Sequence, residues 1–255
     1  MTMAKKAQSG GLALPHNRYM VGITASDLQL ISYRLMQGSS KAVQTGRATI
    51  GTFYSPETGR ERESLDCAVL MIRKTRTFWG DNVEAPICSS DDGIIARPNA
   101  KFAGQECMKC QYRNDEPWNL PQEQRRKVCT AGYSMLCYDL ESESPFLIRV
   151  QGKSTQASKV WITAVVEQYN YVPFAAKTVW TSEQRTNAYG TTYVSIPTLA
   201  DGFSEDQLKK FETLAEQLVG NQIDWSDEKS DSTSTQTGAD LMPIIEDDPP
   251  ENAMF

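Results

Sequence analysis

The stretch LDCAVLMIRKTRTFWG, residues 65–80, divides into two halves of different character. Leu65 to Ile72 is apolar apart from Asp66, and its shortness favours a buried strand over a short helix. Arg73 to Gly80 alternates only loosely and is basic, with Arg73, Lys74 and Arg76 leading into Phe78 and Trp79. The first half argues for a β-rich core. The second puts cations and aromatic rings side by side.

Similar segments recur before and after it. Residues 46–54 (GRATIGTFY) read as a strand, and residues 55–59 (SPETG) as a turn punctuated by Pro56 and Gly59. Downstream, Tyr133 to Leu140 alternates, Phe146 to Val150 is apolar and basic, and Lys159 to Gln168 is β-branched around Trp161. Lys177 to Thr181 and Thr191 to Ile196 add two more strands. Many short strands separated by turns indicate a barrel or sandwich. Ser204 to Gly220 is instead a helix: Ser204 suits the N-cap, Glu205 and Asp206 the first turn, and Gly220 the C-terminal end. Leu208, Phe211, Leu214 and Leu218 form its one apolar face, which should pack on the body.

The chain has 255 residues, enough for one large or two small domains with a core of their own. No run of eighteen apolar residues offers a membrane span, and residues 1–14, despite Lys5 and Lys6, lack the apolar stretch of a signal peptide. A cytoplasmic location is expected, where the six cysteines would be metal ligands and spare thiols rather than disulfides. The net charge of −6 is unevenly spread. Residues 224–255 hold nine acids and one base, a charge of −8, which leaves +2 on the other 223 residues. An acidic tail beside a mildly basic body suggests nucleic-acid contact by the body and protein contact by the tail. The expected organisation is a disordered N-terminus at 1–14, a nucleic-acid-binding body at 15–223 with an insertion at about 81–132, and a disordered acidic tail at 224–255.

The insertion is poor in apolar runs and holds four of the cysteines. Cys107-Met108-Lys109-Cys110 is a C-x2-C knuckle, a spacing that lets two thiolates chelate one tetrahedral zinc from a tight turn. Cys88 and Cys129 each stand nineteen positions from the nearer knuckle cysteine, in polar, turn-like sequence. Cys137 competes for the fourth place, although it lies in an alternating strand where a small buried thiol fits, and Cys67 also reads as core. Four thiolates leave no open position for water, so one such zinc would be structural and not catalytic.

Sequence-independent binding of single strands needs cations along the phosphate path and rings for bases to stack on. Arg73, Lys74, Arg76, Phe78 and Trp79 supply both, as do Arg97 with Lys101 and Phe102, and Tyr112 and Arg113 with Trp118. Arg149, Lys153, Lys159, Trp161, Tyr169, Tyr171 and Phe174 are weaker candidates.

Residues 242–255 (MPIIEDDPPENAMF) combine an acidic run with apolar residues and a terminal Phe. This resembles the C-terminal tip of bacterial and phage single-stranded DNA-binding proteins, although that tip commonly closes on Pro-Phe where this one has Met254-Phe255. The likeness covers about an eighth of the chain. Residues 86–93 (PICSSDDG) followed by the knuckle resemble a group of phage and mobile-element proteins, and the body resembles oligonucleotide-binding (OB) barrels carrying a zinc ribbon. The resemblance implies a mainly β, OB-like barrel with an inserted zinc element, one Zn2+ on Cys88, Cys107, Cys110 and Cys129 (Cys88 ahead of Cys137), and no catalytic residues. It also implies binding of single-stranded DNA in replication or recombination, in the cytoplasm of a bacterial host. Asp247, Asp248, Glu251, Met254 and Phe255 would then recruit partner proteins. The alternative is a zinc-ribbon regulator of transcription or replication that binds duplex DNA or a polymerase. An enzyme is disfavoured: the one histidine, in His16-Asn17-Arg18, lacks the His-x-Glu pattern of zinc deaminases, and Asp91-Asp92-Gly93 reads as a turn.

Overall fold

In the computed structural model, which describes residues 30–79, 86–115, 117–125, 127–187 and 190–220, the apolar and basic halves of residues 65–78 are one strand. The elements in chain order are β1 (Ile31–Leu35), α1 (Lys41–Gln44), β2 (Phe53–Tyr54), β3 (Glu61–Arg62), β4 (Leu65–Phe78), β5 (Cys88–Ser90) and β6 (Arg113–Asn114). They continue with α2 (Gln122–Arg125), β7 (Cys129–Asp139), β8 (Pro145–Val150), α3 (Ser154–Tyr169), β9 (Ala176–Asn187), β10 (Gly190–Gly202) and α4 (Glu205–Gly220). The strands join in the order β10-β9-β4-β7-β8-β1-β2-β3, with β5 added to β4 and β6 to β7. The fold is mainly β, a curled half-barrel sheet with a C-terminal helix. Among the described residues no helix is long and apolar enough to cross a membrane. The predicted N-terminal segment 1–14 and acidic tail 224–255 lie outside the described residues.

Both faces of the central strands are covered, which explains why Leu65 to Ile72 shows no polar alternation. On one face Leu65, Cys67 and Val69 of β4 pack with Met135, Cys137, Phe146, Ile148 and Trp180, beneath Trp161 and Val165 of α3. On the other, Ala68, Leu70, Leu136, Tyr138 and Leu147 meet Phe211 and Leu218 of α4. Each large side chain so buried contributes roughly 1.5–3 kcal/mol. The two faces are kept in register by the β4–β7 ladder, in which Val69 pairs with Cys137 but Met71 pairs with Leu136. Leu70 is the extra residue of a bulge, and it reverses the in–out parity of everything after it on β4.

Helix α4 forms as its sequence predicts. The Gln207 N–H donates to Ser204 Oγ at 3.4 Å and the Ser204 N–H to Gln207 Oε1 at 3.0 Å, a reciprocal cap. Two expectations are corrected. Residues 159–168 are not a strand but lie within α3, because Ser154, Ser158, Trp161 and Val165 recur at helical spacing and are the buried stripe; the β-branched residues between them misled. Of residues 46–54 only Phe53 and Tyr54 are strand, since Gly46 (φ 70°) and Gly51 (φ 84°) bend the preceding chain into turns.

Side chains hold the curl. After β1, Gln37 donates from Nε2 to the Tyr193 carbonyl and accepts the Tyr193 N–H on Oε1, both at 2.9 Å, imitating a ladder pair between opposite ends of the sheet. Ser182 Oγ donates to the Gly51 carbonyl at the same seam. A Cβ on Gly51 would stand 2.4 Å from the Tyr193 ring. We expect Gly51→Ala to cost on the order of 2–5 kcal/mol, joining an unfavourable φ to overpacking. Gly59→Ala, with φ 67° but nothing within 4 Å, should cost only the backbone part, about 1–2 kcal/mol. Urea unfolding of the two variants measures the difference.

Candidate metal centre and nucleic-acid face

At the far end of β4, Phe78 has Cys88 of β5 as its direct partner on one side and Cys129 of β7 on the other. Direct partners on neighbouring antiparallel strands share a face, so the two cysteines flank Phe78 on one surface, with Cα atoms roughly 10 Å apart. The knuckle is brought over them by backbone bonds. The Cys107 N–H, at the head of the 3-10 turn Cys107–Lys109, donates to the Ile94 carbonyl at 2.7 Å, and the Cys129 N–H donates to the Tyr112 carbonyl at 2.6 Å. Asp92 shapes the intervening turn by accepting the N–H groups of Ile94 and Ile95 and the Ser90 hydroxyl, with Gly93 at φ 69°, as the Asp-Asp-Gly reading anticipates. The block 86–129 is therefore no detached insertion, because β5 and β6 extend the main sheet.

Cys88, Cys107, Cys110 and Cys129 line one cavity of about 20 Å³, together with Arg76 and Phe102. Cys137 does not share it. It pairs with Val69 in the core beside Cys67, both fully buried, and lies eight residues, or roughly 26 Å, along β7 from Cys129. None of the six cysteines is disulfide-bonded. Burial pushes the Cys129 thiol up to about 11, against the opposing charge of Arg76, and burial also raises Cys88. Among the described residues, however, no three His, Cys, Asp or Glu side chains are gathered as a formed metal site. The thiols share a cavity wall without being closed into a ligand set. In kind the residues fit a thiolate-bound ion: four reduced cysteines face one small space, and Arg76, 2% exposed, lines it with Nε and Nη1 buried and lacking hydrogen-bond partners.

The structure redistributes the residues predicted to bind nucleic acid. Arg76 and Phe78 are inside, a correction to the sequence reading, because the bulge at Leu70 turns them toward the cysteines. Phe78, Tyr112 and Phe102 stack on one another, with centroids 4.8 Å (Phe78–Tyr112) and 5.3 Å (Phe102–Tyr112) apart, and form a small core for a block that has few aliphatic residues. Arg97 is paired with Asp91, and Arg113 with Asp115, which also takes Arg76 Nη2 and lies 3.9 Å from Lys74. Lys101 is exposed with its ammonium 5.7 Å from the Phe102 ring centroid, and Trp79 is 40% exposed. Trp118 lies in the 3-10 turn Pro117–Asn119. Of the weaker candidates, Trp161 is core, Phe174 packs against the α4 cluster and Tyr171 is 73% exposed. Asp247, Asp248, Glu251, Met254 and Phe255 lie outside the described residues.

On the opposite face the register assembles something the sequence reading missed. Arg73 pairs with Ser134, and Ser134 with Arg149. Tyr33 pairs with Ile148, so the next residue, Arg34, falls level with Arg149. The neighbours Ile72, Ile148 and Tyr33 all point into the α3-side core, which puts the three arginines on the α4 side. The face thus changes from apolar under α4 to basic beyond it. Arg34 carries no local signal, and only strand pairing makes it part of the row.

Burial alone would raise the Asp115 carboxyl, but hydrogen bonds from Arg76 and Arg113 and the nearby charges of Arg76 and Lys74 hold it below its ordinary range. Its contribution to stability is therefore complete above the ordinary carboxylate range and fades as pH falls through the lowered value. Asp115→Ala, which leaves the buried Arg76 guanidinium without its carboxylate, should cost on the order of 1–3 kcal/mol at neutral pH, since Asp115 is itself partly exposed, and lose that acid limb, as a pH series of urea melts would show. No protein-family model matches the chain, and neither a curated protein nor a solved structure is found that is similar to it.

Proposed function

We propose that the chain binds single-stranded DNA without sequence preference, in the service of replication or recombination. One structural zinc on Cys88, Cys107, Cys110 and Cys129 stabilises the end of the sheet, and the acidic segment 224–255 recruits protein partners. The observation that carries the reading is the row Arg73, Arg149 and Arg34 across four adjacent strands of one sheet face. A line of cations running across strands suits a phosphodiester backbone, and the exposed ring of Trp79 at the end of β4 is available for base stacking. Each of the three arginines already has an interaction within the protein, which a phosphate would join or replace. The curl held by Gln37 supports the finer OB-like reading. No reaction is assigned.

Titration with labelled dT oligomers, against duplex DNA and RNA at several salt concentrations, tests the reading. Affinity for dT should exceed that for duplex and fall steeply with salt, through counterion release. Arg73→Ala with Arg149→Ala should flatten the salt slope by about two. Trp79→Ala should cost about 1–3 kcal/mol with the fold intact. A preference for duplex would transfer support to the regulator reading, and absence of binding would remove the proposal. Metal analysis of protein purified without chelator should find about one zinc per chain, lost in Cys88→Ser and Cys129→Ser and kept in Cys137→Ala. A zinc-free protein with intact fold would remove the metal part alone.

A further inference from the structure

Arg76 is 2% exposed, and its guanidinium carries five N–H donors and no acceptor. Nη2 donates to Asp115, while Nε and Nη1 are buried and have no hydrogen-bond partner. The cavity that Arg76 lines presents four thiols, on Cys88, Cys107, Cys110 and Cys129, beside Ser89, Ser90 and Gln105, none of which takes a hydrogen bond from Nε or Nη1, and a neutral thiol accepts weakly. A thiolate accepts a charge-assisted bond. The local charge points the same way. Arg76, Arg113 and Lys74 surround one carboxylate, Asp115, so the cluster is net positive, and Arg76 is the member of it that lines the cavity. A divalent ion held by four thiolates keeps two negative charges.

We infer that Arg76 is the buried counter-cation of the zinc–thiolate site, donating Nε–H and Nη1–H to the cysteine sulfurs while Asp115 holds the other end of its fork. This rests on the zinc reading above. Arg76 is a positioning residue: it would favour the all-thiolate ligand set and tie the metal site to β4, the strand that also carries Arg73.

The test uses the full chain. Zinc affinity is measured by competition with a chromophoric chelator, and the sulfur-to-metal charge-transfer band is recorded with Co2+ in place of zinc, for wild type, Arg76→Met and Arg76→Lys, each checked by circular dichroism. Arg76→Met should lose at least about tenfold in zinc affinity and shift the Co2+ band. Arg76→Lys, which keeps the charge and loses the fork, should recover part of the affinity but not the band position. Wild-type affinity and spectrum in Arg76→Met would overturn the inference. If that variant does not fold, wild-type affinity and spectrum in Arg76→Lys would overturn it equally. A wild-type chain that takes up neither metal would instead remove the zinc reading on which the inference stands.

Discussion

The ladder between β4 and β7, with one extra residue at Leu70, is the constraint on which the rest of the structure depends. Before the bulge the odd-numbered residues of β4 face α3, and after it the even-numbered ones do. A strand has only two faces, so one inserted residue exchanges every later side chain between them. That exchange sends Arg76 and Phe78 to the cysteines and Arg73 to the basic row. Without it, Thr75 and Thr77 would face the thiols, and the arginines would change places.

The cysteine end of the molecule has another economy. It lacks the aliphatic runs that support the body, and three stacked rings take their place. Around them, carboxylates neutralise arginines in pairs: Asp91 with Arg97, and Asp115 with Arg76 and Arg113. These pairs are part of the local framework, so Arg76, Arg97 and Arg113 are not a surface field, while Lys101, Lys109, Arg125 and Lys127 remain exposed. Charge counted along the chain therefore overstates what the block can present to a polyanion. The opposite sheet face, where three strands each contribute one arginine, is the better candidate.

The two faces divide the labour. One carries α3, the larger core and, at its end, the thiol cavity. The other carries α4 and then the arginine row. A metal site on the first face and a phosphate path on the second would meet through β4, so an ion that orders the end of that strand would also order Arg73 and Trp79.

Sequence alone determined the elements whose signal is local. Residues 65–72, 133–140 and 146–150 read as strands because short apolar or alternating runs bounded by turns favour a strand over a helix, and α4 read as a helix because its cap and apolar stripe are both written in order. Spacing and polar surroundings pointed to the knuckle with Cys129 and left Cys88 and Cys137 in competition; the resemblance put Cys88 ahead, and Cys88 shares one cavity with the other three. Tertiary structure decided the rest. It made a helix of residues 159–168, whose β-branched composition is overruled by burial at a spacing of 3.6. It placed Cys88, and not Cys137, at the cavity shared by the other three thiols. It buried Arg76 and aligned Arg34 with Arg149 and Arg73. Parity beyond a bulge and alignment across strands are set by hydrogen bonds between segments tens of residues apart, and no window along the chain contains both partners.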